Sequence, residues 1–166
     1  MADLIITVGV PGSGKSTLAA RIADGQADNP GDAEAVRATG QPFVIVSPDD
    51  IRKELTGDVT DQSRNGDVFK AAHQRALEHL RAGRTVVFDA TNVTPRSRRP
   101  LLDTAALATA RPVAWRVALP HAESLARNAA RSRVVPGFVM ARMVDNFDQH
   151  CAVTQLEAEG FVVWTL

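Results

Sequence analysis

Glycine, lysine and hydroxyl residues in the segment GVPGSGKST, residues 9–17, have the types and spacing that suit phosphate binding. Gly12 and Gly14 allow the backbone to curl, so that successive N–H groups converge on phosphate oxygens at a helix N-terminus. Lys15 is expected to reach the β- and γ-phosphates of a nucleoside triphosphate, and Ser16 to place its hydroxyl on Mg²⁺. A glycine-rich turn with a solvated lysine is the alternative. The pattern predicts nucleotide binding by Gly12, Ser13, Gly14, Lys15, Ser16 and Thr17.

Two adjacent carboxylates stand in the segment SPDDIR, which begins at Ser47. Ser47 as helix N-cap with Asp50 at the third helical position resembles a capping box, which gives Asp50 a structural task. Asp49 would then lie near the carboxyl end of a parallel strand, with Arg52 on the same helix face. Asp49 could accept the proton of an attacking hydroxyl while Arg52 holds an anionic part of the acceptor. Alternatively, both aspartates only complement the helix dipole and Arg52 is a solvated partner.

A third carboxylate, Asp89, stands where the apolar run TVVFDA ends. Such an aspartate binds Mg²⁺ through water, holds the loop that follows, or merely ends the strand, and the sequence leaves these roles open. Ala90 follows it where hydrolytic ATPases commonly carry a glutamate that works on water, and the N-K-x-D segment of GTPases is absent. Transfer to a bound acceptor therefore fits better than hydrolysis. Thr91 and Asn92 are predicted to fix the loop after Asp89.

Five short runs rich in β-branched residues alternate with helical patterns, which predicts an α/β fold. The runs are LIITVGV, FVIVS, TVVFDA, VAWRVAL and FVVWTL, and their continuous apolarity indicates a parallel sheet of about five strands with helices on both faces. Residues 24–42 form a long polar connection with one short helix at 32–39, and residues 56–66 form a solvated loop or a flap. The main helices are predicted at about 15–25, 48–55, 66–82, 95–110, 121–132 and 137–150.

The composition suits a protein of one domain, because 166 residues with 45% hydrophobic content can bury one core. The single cysteine excludes an intramolecular disulfide, and the start MADLIITVGV lacks the features of a signal or a membrane span. A cytoplasmic location without membrane partners is therefore expected. Nineteen basic and nineteen acidic residues cancel, but fifteen of the basic ones lie in residues 51–133, which allows a local basic surface.

Four segments in this order, GVPGSGKST, SPDDIR, VVFDATNVTP and RNAARSRVVP, resemble the kinase module of bacteriophage-type polynucleotide 5′-kinases. The match extends from Leu4 to about Phe147. These small P-loop kinases move the γ-phosphate of ATP to a 5′-hydroxyl end of DNA or RNA. The resemblance implies a single P-loop kinase domain over residues 1–166 with a lid around 121–137. It also implies ATP and Mg²⁺ as cofactors, nucleic acid 5′-hydroxyl ends as substrate, and a place in nucleic-acid repair.

The resemblance also implies roles for individual residues. Asp49 becomes the general base, Arg52 the contact to the phosphate next to the acceptor nucleoside, and Asp89 an essential strand-end carboxylate. Arg127 and Arg131, four residues apart and predicted on one helix face, match the lid arginines that embrace ATP. Independently, an arginine from a lid can offset charge on the transferred phosphoryl group, although an ordinary solvated face would have the same pattern.

Further residues after these motifs have two interpretations each. Val135 and Pro136 match residues that lie against the acceptor base, and core packing is the alternative. Arg96, Arg98 and Arg99 could follow a polynucleotide backbone, or could be ordinary exposed charge. The chain departs from the family in its long connection after the phosphate loop and in having no tyrosine, and it lacks the D-x-D-x-T phosphatase signature.

Two other functions remain open at this point. The first is the same ATP-dependent chemistry on a small hydroxyl compound, such as a sugar, a nucleoside or an antibiotic. The second is a non-catalytic ATP-binding switch. A basic groove leading to Asp49 would favour the polynucleotide acceptor, and an enclosed pocket would favour the small compound.

Overall fold

The computed structural model describes residues 1–26, 30–38 and 43–166. Five strands are present in these ranges, and they are β1 (Asp3–Val8), β2 (Phe43–Val46), β3 (Thr85–Phe88), β4 (Arg111–Arg116) and β5 (Val162–Thr165). All of them pair in parallel, in the spatial order β2-β3-β1-β4-β5. The central strand β1 is buried along its whole length. The predicted parallel α/β sheet of five strands is confirmed.

Eight helices surround the sheet within the described ranges. They are α1 (Lys15–Ala23), α2 (Pro30–Ala38), α3 (Pro48–Thr56), α4 (Asn65–Arg81), α5 (Pro95–Ala108), α6 (His121–Ala129), α7 (Gly137–His150) and α8 (Val153–Glu159). None of them has the length and apolarity that a membrane-spanning helix needs.

Several helix boundaries differ from the prediction, and three of them have a local explanation. Helix α1 ends before position 25, because Gly25 adopts a φ of +73° and its N–H bonds back to Ile22. The helix predicted at 32–39 begins at Pro30, since proline suits a first helical turn, and its predicted end lies outside the described residues. Helix α6 stops at Ala129 rather than 132, because the N–H of Arg131 bonds to Asn128 three residues back.

Helix α8 was not predicted. It has only seven residues, and Leu156 is its one buried side chain, so it offers no apolar periodicity that a sequence pattern could reveal.

Alternate residues of β1 face two separate apolar clusters. Leu4, Ile6 and Val8 pack with residues of α4, α5 and α7, whereas Ile5 packs with residues of α1 and α2. The connections that leave β1 and β3 therefore lie on opposite faces of the sheet. In open α/β sheets this arrangement creates a crevice at the carboxyl ends of the two adjacent strands. The segment after β1 and Asp89 after β3 both border that crevice.

Arg98 on α5 is fully buried, which contradicts both of its predicted roles, polynucleotide contact and exposed charge. Its guanidinium forms two bonds with the Glu159 carboxylate, with Nε to Oε2 at 2.8 Å. The carbonyl oxygens of Asn92 and His150 accept further bonds at 2.8 and 2.9 Å. Arg98 thus joins α5 to the loop after Asp89 and to the ends of α7 and α8.

Candidate active site

The phosphate-binding loop lies between β1 and α1, and two of its glycines have conformations that other residues rarely adopt. Gly12 and Gly14 have φ angles of +81° and +88°. A Cβ atom at Gly12 would lie 2.5 Å from the carbonyl oxygen of Ser124 on α6. Helix α6 therefore packs directly on the loop, backbone against backbone, and any side chain at position 12 would separate them.

Lys15 begins α1 and is 8% exposed, with its Nζ donating a hydrogen bond to the carbonyl oxygen of Val10 at 3.1 Å. Burial lowers the pKa of Lys15 to about 8, and the charge of Arg131 also lowers it, whereas the carboxylates of Asp89 and Asp49 raise it. One amine thus lies within electrostatic reach of three other charged groups that the sequence singled out. A buried cation with a perturbed pKa among such groups is typical of a functional site.

The hydroxyl residues of the loop differ in exposure. Ser16 and Thr17 are exposed on the first turn of α1, so their hydroxyls are accessible to a ligand. Ser13 is buried, and among the described residues its Oγ has no hydrogen-bond partner.

Asp89 is tied to the central strand through Thr7. The Thr7 hydroxyl lies 3.3 Å from Oδ1 of Asp89 and 2.8 Å from the carbonyl oxygen of Ala90, and it accepts the Ala90 N–H at 3.1 Å. The Nδ2 of Asn92, a residue with φ of +47°, donates to the carbonyl oxygen of Thr7 at 2.8 Å. The carbonyl oxygen of Thr91 accepts the N–H of Gly9 at 3.0 Å. The prediction that Thr91 and Asn92 fix this loop is confirmed, and Thr7 is a partner that the sequence did not reveal.

Helix α3 begins with the predicted cap, but only one of its aspartates takes part in it. Ser47 is extended and its Oγ accepts the backbone N–H of Asp50 at 3.3 Å, with Pro48 as the first helical residue. The bond uses the main chain of Asp50 rather than its carboxylate, which is exposed. The side chain that caps the helix is therefore that of Ser47.

Asp49 and Arg52 form the predicted pair, through Nη1 of the arginine and Oδ1 of the aspartate. The two side chains differ in exposure, which is 57% for Asp49 and 5% for Arg52. The Nη2 of Arg52 donates to Oδ1 of Asn65 at 2.8 Å, so α4 also holds this guanidinium. Arg52 thus fixes one carboxylate oxygen of Asp49, and the carboxylate remains open to solvent.

The two arginines predicted for the lid do not share a helix, and the first of them lies beside the phosphate loop. Arg127 is on α6, pairs with Glu123 at 2.7 Å, and places its Nη1 3.4 Å from the position of a Cβ at Gly14. Arg131 lies two residues beyond the end of α6, and its charge lowers the pKa of Lys15. The predicted arrangement on one helix is wrong, because the helix ends at Ala129.

Two residues in the segment predicted as a lid, residues 121–137, were not singled out from the sequence. Asn128 is buried and binds both backbone groups of Val135, with Nδ2 to the carbonyl oxygen at 2.9 Å and the N–H to Oδ1 at 3.0 Å. Arg133 places its Nη1 3.6 Å from Oδ2 of Asp49. Val135 is half-buried and Pro136 is exposed at the start of α7. An asparagine within a predicted helix gives no signal of such a clamp, which depends on the path of the chain after α6.

The comparisons with known proteins agree with the fold. The family model described as AAA domain matches residues 4–150. The chain belongs to the AAA domain family. The comparison with curated proteins gave no match.

Several solved structures share the fold of this AAA domain, which is that of the P-loop kinases. A protein of the "Pnkp1/Rnl/Hen1 RNA repair complex" is 24% identical with a TM-score of 0.65, and the match covers 89% of this chain and 44% of that one. Kti12 of Chaetomium thermophilum, in complex with ADP-AlF3, is 15% identical with a TM-score of 0.68, covering 98% and 88%. A gluconokinase from Sinorhizobium meliloti 1021 is 17% identical with a TM-score of 0.54, covering 98% and 82%. The chain thus spans less than half of the repair-complex protein.

Proposed function

We propose that this chain transfers the γ-phosphate of ATP to a 5′-hydroxyl end of DNA or RNA. The observation that carries the proposal is that one segment touches both the phosphate loop and Asp49: the carbonyl oxygen of Ser124 would lie 2.5 Å from a Cβ at Gly12, and Nη1 of Arg133 lies 3.6 Å from Oδ2 of Asp49. A phosphate-binding lysine and a solvent-open carboxylate that share one crevice suit phosphoryl transfer to a hydroxyl between them.

Donor binding uses the loop after β1 and the lid. The backbone N–H groups of residues 12–17 surround the phosphates, and Lys15 neutralises the transferred group. Arg127 and Arg131 approach from the lid and offset the charge that develops during transfer. Because phosphate supplies the counter-charge that a buried lysine lacks, ATP binding relieves the unfavourable burial of Lys15.

Mg²⁺ fits the oxygen donors at this site. Ser16 exposes its hydroxyl at the loop, and Asp89 brings a carboxylate to the neighbouring strand end. Mg²⁺ is usually held by one or two such oxygens together with substrate phosphates and water. Bound there, Mg²⁺ would neutralise charge on the β- and γ-phosphates.

Transfer to the acceptor follows from the position of Asp49. The hydroxyl oxygen forms a bond to the γ-phosphorus, the bond from that phosphorus to the bridging oxygen of ADP breaks, and Asp49 takes the hydroxyl proton. Arg52 serves the acceptor side by holding Asp49, and it contacts the acceptor directly only when it exchanges one of its present partners. Val135 and Pro136 border the acceptor base.

The wider setting is part of the same proposal. Residues 1–166 form a single kinase domain with a lid around 121–137, in a cytoplasmic protein that acts in nucleic-acid repair. The likeness to a protein of an RNA repair complex supports this setting.

The same transfer to a small hydroxyl compound is the second candidate, and the match in length to a gluconokinase supports it. The exposure of Asp49 favours the polynucleotide, because an acceptor end reaches an open carboxylate without having to fit an enclosed pocket.

The two adjacent aspartates provide a matched test of the proposal. Asp49→Asn should reduce transfer by about 10²-fold or more while ATP still binds, because a general base contributes roughly that much. Asp50→Asn is the control, since its carboxylate is exposed and its part in the cap belongs to the main chain. Equal activity of the two variants would remove Asp49 from the reaction.

A further inference from the structure

The segment from Arg127 to Arg133 carries three arginines that face two different parts of the crevice. Arg127 lies against the phosphate loop, with its Nη1 3.4 Å from the position of a Cβ at Gly14, and the charge of Arg131 lowers the pKa of Lys15 in the same loop. Arg133 instead points to α3, where its Nη1 lies 3.6 Å from Asp49. The arginines therefore divide between the donor side and the acceptor side of the site.

We infer that Arg133 binds the anionic group of the acceptor that lies next to the reacting hydroxyl. The inference rests on the proposed function and names the residue that recognises the acceptor phosphate. The contact to the acceptor phosphate, which the sequence analysis expected from Arg52, is thereby assigned to Arg133.

The two candidate arginines differ in their capacity for a new ligand. Arg52 already uses Nη1 for Asp49 and Nη2 for Asn65, and its Nε is buried. Its side chain is 5% exposed, whereas that of Arg133 is 36% exposed. An anion that enters the crevice meets the open guanidinium of Arg133 without breaking a buried network. Arg52 is thus a positioning residue for Asp49 in this state.

The present contact of Arg133 is weak enough for an anion to replace it. At 3.6 Å the ion pair with Asp49 exceeds the length of a hydrogen bond, and Asp49 keeps its bond to Arg52. Hydrogen bonds from Thr60 lower the pKa of the Asp58 carboxyl, and the charge of Arg133 lowers it further. The guanidinium of Arg133 has one observed carboxylate neighbour, Asp49 at 3.6 Å, and a phosphate can bind it bidentately where Asp49 does not.

The clamp between Asn128 and Val135 holds Arg133 in place. Both backbone groups of Val135 are bonded to the Asn128 side chain, so the chain between them forms a closed loop. Arg133 lies on this loop, two residues before Val135. A fixed backbone reduces the entropy lost when the side chain orders on a ligand.

The experiment compares a normal 5′-hydroxyl oligonucleotide with one whose first linkage is a neutral methylphosphonate. For the wild-type protein we expect the neutral linkage to raise the acceptor KM about 10- to 100-fold, the range for a charged hydrogen bond. In Arg133→Ala the KM values for the two oligonucleotides should agree within about twofold, since the contact to the charged linkage is already lost. The KM for ATP should stay unchanged, and Arg133→Lys should restore part of the difference because it keeps the charge.

Two further variants complete the comparison. Arg84→Ala, at the exposed position before β3, should keep the wild-type difference, and thermal melts should show all variants folded. Loss of the difference in Arg52→Ala but not in Arg133→Ala would overturn the inference and leave the kinase function standing. An undiminished difference in both variants would also overturn it. Absence of transfer by the wild-type protein would overturn the proposed function and this inference together.

Discussion

The amine of Lys15 donates to the carbonyl oxygen of Val10, 3.1 Å away, so the lysine folds back over its own loop. This bond gives a buried cation one main-chain partner in place of water. A carbonyl is a weaker partner for a charged amine than a phosphate is. Binding of a polyanion should therefore stabilise the charged form of Lys15.

Lys15 gives the site a defined pH dependence. Its pKa of about 8 lies below the ordinary 10.5, so its charge destabilises the free protein below about pH 8. This penalty disappears as the pH rises from about 8 to 10.5, because the folded protein loses the proton first. A bound polyphosphate should raise the pKa again, so ATP binding should take up protons at about pH 8.5 and almost none at about pH 6.5.

Titration calorimetry of ATP in buffers of different ionisation enthalpy measures this proton uptake. Lys15→Ala should abolish the uptake and reduce transfer at least about 10²-fold. Uptake that persists in Lys15→Ala would show that another group titrates.

Variants at the start of α3 should affect stability and catalysis separately. Ser47→Ala should lower the free energy of unfolding by about 0.5–2 kcal/mol, because the N–H of Asp50 loses its acceptor. Asp49→Asn should leave stability nearly unchanged and remove activity. Urea unfolding measures the first effect, and a stable Ser47→Ala protein beside an unstable Asp49→Asn protein would contradict the cap.

The rate of transfer should depend on the shape of the guanidinium of Arg131, whose charge lowers the pKa of Lys15. Arg131→Lys should lower kcat although the charge is kept, because lysine cannot replace the planar fork. Arg142→Lys on the exposed face of α7 is the matched control. A normal kcat for Arg131→Lys would exclude Arg131 from the transition state.

The buried ion pair of Arg98 with Glu159 should be important for stability. Arg98→Met should lower the free energy of unfolding by about 3–5 kcal/mol, because it leaves Glu159 partly buried without its partner. Arg99→Met should change it by less than about 0.5 kcal/mol, since that side chain is 78% exposed. Similar losses in the two variants, measured by denaturant unfolding, would contradict the assignment of Arg98 to the interior.

The sequence could predict what depends on local pattern. The β-branched runs predict buried strands, the spacing of Gly12, Gly14 and Lys15 predicts the loop, and Ser47 before Pro48 predicts a helix start. These features rely on neighbours within a few residues, so they need no knowledge of the remaining chain.

Long-range contacts escaped prediction for a physical reason. Arg98 can be buried because it pairs with Glu159, which lies 61 residues later in the chain. Thr7 has the sequence pattern of an ordinary β-branched strand residue, and only its contact with Ala90 shows its role. The path of the chain after α6 also depends on such a contact, because the side chain of Asn128 binds the backbone of Val135 seven residues later. The position of Arg133 follows from that loop.

Salt dependence gives an independent check on the acceptor. The chain is neutral overall, and several arginines of its basic middle segment pair with neighbouring carboxylates, as Arg64 does with Asp67 and Arg99 with Asp103. Oligonucleotide affinity should therefore fall only modestly between about 50 and 200 mM salt, as for a few phosphate contacts. A loss of about 10³-fold or more over that range, measured by fluorescence anisotropy, would indicate an extended polyanion surface instead.

The most direct test offers γ-labelled ATP with four kinds of acceptor: a 5′-hydroxyl oligonucleotide, a 3′-mononucleotide, a plain nucleoside and a panel of sugars. We expect label on the oligonucleotide and the 3′-mononucleotide, because both carry a phosphate next to the reacting nucleoside, and little label on the others. Preferential labelling of a sugar or a plain nucleoside would contradict the polynucleotide function and favour a small-molecule kinase. ATP binding without labelling of any acceptor would contradict phosphoryl transfer itself and favour the switch.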